Sequence, residues 1–92
     1  MKILELLSDK KKWTQNTYAR NAMGYSVLPR AVDAASWCLL GALSKCYPDR
    51  ENNYAAHRRM TDCLPKGRTT ISSFNDQSTF RQVRALLKKA NV

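Results

Sequence analysis

SWCLLGALSKC, residues 36–46, is the most apolar run of the chain and carries two of its three cysteines on either side of a glycine. Between Ala31 and Ser44 the only charge is Asp33. At 100° per residue, Val32, Trp37, Cys38, Leu39, Leu40, Ala42 and Leu43 spread nearly all round a cylinder, the pattern of a helix enclosed by protein. Pro29 suits the first turn of such a helix, where its missing N–H would be unpaired in any case. The spacing predicts a central helix from Pro29 to about Lys45 with Trp37, Leu39, Leu40 and Leu43 in the core. Gly41, between Leu40 and Ala42, predicts close contact with a neighbouring element.

Working outward, Ile3, Leu4, Leu6 and Leu7 predict a short first helix closed by Lys10, Lys11 and Lys12, whose charges complement a helix C-terminus, with Trp13 folded back onto it. Tyr18-Ala19-Arg20 and Tyr25-Ser26-Val27 can pair across a turn at Met23-Gly24 as a small hairpin. Beyond Tyr47-Pro48-Asp49 a helix is expected near Asn53 to Leu64, burying Ala56, Met60, Cys63 and Leu64, and stopped by Pro65 and Gly67. Thr69 to Phe74 reads as an extended link and Asn75-Asp76 as a turn. Thr79 and Gln82 form a T-x-x-Q capping box ahead of a last helix from Phe80 to about Ala90, which buries Phe80, Val83, Leu86, Leu87 and Ala90. The fold class expected is mainly α, or α+β if the hairpin forms: about four helices around a buried central one, in a single domain spanning residues 1–92.

Trp13, Tyr18-Ala19-Arg20-x-Ala22-x-Gly24, Ala34-x-x-Trp37-Cys38-Leu39-x-Gly41-Ala42, Phe74-Asn75-Asp76 and a Val83-x-x-Leu86 helix together resemble an uncharacterised family of small bacterial and phage proteins, a domain of unknown function. The resemblance covers most of the chain. It implies one compact domain in a bacterial or phage setting and carries no activity, cofactor or catalytic residue with it.

Ninety-two residues suffice for one core without a metal or disulfides. The N-terminal apolar cluster is interrupted by Glu5 and Asp9, unlike the continuous apolar region of a signal peptide, and no run reaches the roughly 18 residues of a membrane span. Three cysteines, an odd number, fit a reducing cytoplasm better than a disulfide framework.

Cys38, Cys46, Cys63 and His57 offer zinc-ligand chemistry. On one unbroken helix, however, residues 38 and 46 stand about 12 Å apart and cannot share an ion. A thiol nucleophile would need His57 as base and an electropositive setting, and a helix C-terminus beside Cys46 works against it. His57 next to Arg58 and Arg59 could hold a phosphate, or be a histidine at the edge of an apolar stripe. Asn75 and Asp76 could act as an amide and acid pair, or bond to nearby backbone as turn residues do. No Gly-rich phosphate loop, carboxylate pair or Ser-His-Asp order is present, so neither an enzyme nor a cofactor is expected.

The charge is the strongest lead. Sixteen Lys and Arg against seven Asp and Glu give +9, and residues 57–92 hold eight bases and two acids, a net of +6. Arg58, Arg59, Lys66, Arg68, Arg81, Arg84, Lys88 and Lys89 come from the last two helices and their link, with Arg81, Arg84 and Lys88 close together on one side of the last helix. If those helices pack together they build one positive face, suited to the phosphates of DNA or RNA with little base readout. The other expectation is a phage or bacterial interaction factor, an inhibitor or adaptor. It would dock on an acidic or nucleic-acid-binding surface of a host protein complex through arginines and exposed tyrosines such as Tyr18, Tyr25, Tyr47 and Tyr54.

Overall fold

A computed structural model describes residues 1–67 and 70–92. Among them five α-helices and a small antiparallel sheet follow in the order α1 (Ile3–Leu6), β1 (Ala19–Asn21), β2 (Ala34–Trp37), α2 (Leu39–Cys46), α3 (Arg50–Asp62), α4 (Ile71–Gln77) and α5 (Phe80–Ala90). The mainly α class with a small β element is what the sequence predicts. Several boundaries differ, and each difference has a physical cause.

The central helix begins at Leu39, not Pro29. Residues 34–37 are instead β2, paired antiparallel with β1 in the register Ala19↔Trp37, Arg20↔Ser36 and Asn21↔Ala34, with an irregularity after Arg20. All-round apolarity describes a buried strand leading into a helix as well as one long helix. Val32, expected on the helix, lies wholly exposed on the connection. Cys38 is the N-cap of α2: its backbone is extended and its Sγ accepts from the Gly41 N–H at 3.3 Å.

The predicted hairpin turn exists, because Gly24 takes φ +88°. Arg20 bridges Ser26 and the Val27 N–H donates to the Ala19 carbonyl. β1 therefore has two neighbours, the local segment foreseen and the distant β2 that was not.

α2 sits among α1, α3, α4 and β2. Leu39, Ala42 and Leu43 share one core with Ile3 and Leu7 from α1 and its end, Met60 from α3, and Val83 and Leu87 from α5. Gly41 makes the close contact its position predicts. A Cβ there would stand 1.9 Å from the carbonyl oxygen of Tyr18, which already accepts from the Cys38 N–H at 3.1 Å. Only glycine lets the helix lie so close to the strand segment.

α1 is a single turn, and the three lysines form a separate 3-10 turn, Lys10–Lys12, begun by the Asp9 side chain. α3 starts at Arg50 because Asp49 caps it, accepting from the Asn52 N–H at 3.1 Å. The expected link and turn at 69–76 is corrected to a fifth helix: Thr70 caps α4 through the Ser73 N–H, and Asn75 and Asp76 lie within it. Thr69 falls outside the described residues. α5 has the predicted limits, and both halves of its capping box form, Gln82 N–H to Thr79 Oγ1 and Thr79 N–H to Gln82 Oε1.

Candidate nucleic-acid interface

α3 and α5 pack against each other, which is the arrangement a shared basic face requires. Arg59 on α3 reaches the C-terminal end of α5, with Nη1 donating to the Asn91 carbonyl at 3.4 Å. Farther along the chain, residues 63–66 lie beside Gln82, Ala85, Leu86 and Lys89, so the chain leaving α3 runs back along α5. Those four α5 positions share one side of the helix by their spacing.

Between the two segments lies an open groove of about 470 Å³. Cys63, Leu64, Pro65, Phe74, Ala85 and Leu86 give it an apolar floor and walls, while Lys66 comes from one side and Lys89 from the other. Toward Gln77 and Ser78 it adjoins a more polar hollow that shares Pro65, Lys66, Phe74 and Gln82. In the sequence Pro65 and Gly67 read only as a helix stop, so this groove went unforeseen. The one signal was the apolar Ala85-Leu86 step between Gln82 and Lys89.

Arg58, Arg59, Lys66, Arg81, Lys88 and Lys89 are exposed. Arg59, Lys66 and Lys89 gather along the α3–α5 junction, Arg81 and Lys88 lie on the outward side of α5, and Arg58 lies on the side of α3 away from buried Ala56 and Met60. Arg68 lies outside the described residues. Arg84 does not join Arg81 and Lys88: its Nη1 donates to the carbonyls of Leu4 at 2.9 Å and Leu7 at 3.1 Å. It thereby satisfies carbonyls at the end of α1 that the one-turn helix leaves unpaired.

His57 also stands apart. It lines a separate hollow with Leu40, Thr61 and Ile71, on the flank of α3 opposite Arg59 by the helical spacing, so the three consecutive basic residues do not converge on one phosphate.

Asn75 is the polar hub of the fold, 1% exposed. Its Oδ1 accepts from Trp13 Nε1 at 2.8 Å and the Leu39 N–H at 3.0 Å, and its Nδ2 donates to the Thr14 carbonyl at 3.1 Å and Asp76 Oδ1 at 3.0 Å. Asp76 Oδ1 also accepts from the Asn16 N–H at 2.9 Å, and Gln15 Nε2 donates to the carbonyls of Asn75, Asp76 and Ser78. The pair thus pins the N-terminal segment to α4 and to the start of α2. A small cleft of about 190 Å³ beside it is lined in part by Asn16, Tyr18 and Cys38.

All three cysteines are free thiols. Burial pushes the Cys38 thiol up, against the opposing pull of the Gly41 N–H, and nearby Asp76 pushes the same way; burial also raises Cys46. Both therefore stay protonated at neutral pH, the unreactive form. Among the described residues, no group of three His, Cys, Asp or Glu side chains is placed to hold a metal, and no helix is long and apolar enough to cross a membrane.

Neither the curated proteins nor the solved structures contain a match to the chain. A family model does match, over residues 2–91. With nearly its whole length inside that match, the chain belongs to the family of unknown function DUF6197.

Proposed function

We propose that this is a non-enzymatic binding protein of bacterial or phage origin, acting in the cytoplasm, that takes up nucleic acid along the α3–α5 side. One observation carries the reading: α3 and α5 pack together, and the exposed cations Arg59, Lys66, Arg81, Lys88 and Lys89 come from that pair and the chain between them, with exposed Arg58 on the far side of α3. Phosphate contacts of this kind fix a strand's position without reading its sequence. Each neutralised phosphate releases counterions, so binding must weaken steeply with salt.

The test is a titration of duplex and single-stranded oligonucleotides at two salt concentrations. Engagement of about four phosphates weakens binding roughly a hundredfold between about 50 and 200 mM salt. Absence of binding at the lower salt overturns the reading.

A second reading, an interaction factor that docks on a host protein, is favoured by a different observation. Tyr18, Met23, Tyr25, Leu28 and Val32 are all exposed within one short stretch around β1 and its turns. Large apolar side chains concentrated on a surface mark interaction sites more often than chance exposure does. Recovery of one stoichiometric protein partner from nuclease-treated lysate, lost with Tyr25→Ser and Leu28→Ser together, supports it; retention of that partner by the double variant removes this stretch from the interface.

A further inference from the structure

We infer that the groove beside α5 receives an unstacked base, which makes the ligand of the basic side a single strand rather than a duplex. The inference rests on the nucleic-acid reading above and names its substrate class. It starts from the mismatch between a purely phosphate-binding surface and what lies among these cations. Phosphates need charge and hydrogen-bond donors, and gain nothing from an apolar floor. Here Lys66 and Lys89 line a groove of about 470 Å³ whose other lining residues, apart from Gln82, are apolar, Leu64, Pro65, Ala85 and Leu86 among them.

A duplex keeps its base faces stacked inside and offers that floor only sugar and phosphate. A single strand can turn one base out of its stack and lay an apolar face on the groove while the flanking phosphates meet the lysines on either side. Single strands are held without sequence preference by charge along the backbone and side-chain platforms, usually aromatic, for the bases. Here Phe74 is buried, and Leu64 and Pro65 stand where such a platform would be. The exposed Pro65 ring and the Ala85 methyl give flat, small walls that leave room for a planar ring.

Three labelled ligands of equal phosphate number per strand test this by fluorescence anisotropy at low salt: a 12-residue oligothymidylate, the same oligomer with every base removed, and a 12-base-pair duplex. The expected order places oligothymidylate at least tenfold tighter than the abasic strand and tighter than the duplex. Ala85→Gln puts a bulkier, uncharged polar side chain into the groove, and should bring the two single strands within about twofold of each other. Equal binding of abasic and normal strands by the unaltered protein overturns the base groove and leaves the phosphate surface standing. Binding of none of the three overturns both. The comparison of ligands needs no variant, so it decides even if Ala85→Gln misfolds.

Discussion

Two polar regions of this small fold use their side chains in opposite ways. Around Asn75 the polar groups are turned inward: every nitrogen and oxygen of that side chain has a partner, and those partners come from Trp13, Thr14, Leu39 and Asp76. Along α3 and α5 the cations are turned outward and the apolar residues lie between them. Arg84 marks the boundary, an arginine from the outward set spent on the α1 carbonyls. The contrast shows why residue type alone is a poor guide to a site. The amide and acid pair that resembles catalytic chemistry holds the fold together, and the unremarkable lysines Lys66, Lys88 and Lys89 stay exposed.

The largest effect that can break this comparison is expected at Asn75. Asn75→Ala strands the Trp13 Nε1–H and the buried Leu39 N–H, each worth about 1–3 kcal/mol when unpaired, so chemical denaturation should register a loss of roughly 3–5 kcal/mol. A loss below about 1 kcal/mol would return Asn75 to the list of candidate site residues. Next comes Gly41→Ala. The added methyl would collide with the Tyr18 carbonyl, and the net cost should be about 2 kcal/mol even though alanine is the better helix former by about 1 kcal/mol. Unchanged stability would mean that Tyr18, just before β1, and α2 are not in contact there.

Arg84→Gln should cost about 2 kcal/mol, the worth of charged hydrogen bonds to two carbonyls, whereas Arg81→Gln should be nearly neutral in the same melt. Equal costs at the two positions would erase the distinction between spent and free arginines. The smallest effect is a pH dependence. Because burial holds the Cys38 thiol above its ordinary value, the folded chain keeps that proton after the unfolded chain loses it. Its contribution to stability is whole below the unfolded thiol value of about 8.5 and is lost as pH rises through the folded one. Cys38→Ala should therefore flatten the decline of stability above that pH, as followed by denaturation at a series of pH values.

How much of this was legible follows from where each residue finds its partners. α5 was readable to the residue because its capping box is closed by Thr79 and Gln82, three positions apart. The Gly24 turn was readable for the same reason. β2 was not, since its partner β1 lies across an intervening loop and nothing within residues 34–37 distinguishes a strand from the first turns of a helix. Asn75 was read as a turn residue because all but one of its side-chain partners lie between 36 and 62 positions away. The basic side was visible as composition, but the loss of Arg84 to α1 depends on a contact 77 to 80 residues distant, and the groove depends on how the chain leaves α3.

The central claim, that outward cations of α5 contact phosphates while the inward one holds the fold, is tested most directly by the salt dependence of oligonucleotide binding in two variants. Arg81→Gln with Lys88→Gln should weaken binding and make the slope of log affinity against log salt shallower by about 1.5, the share of two single-strand phosphate contacts. Arg84→Gln, measured below its melting range, should leave that slope unchanged. An unaltered slope in the double variant, or an equal change with Arg84→Gln, would contradict the account.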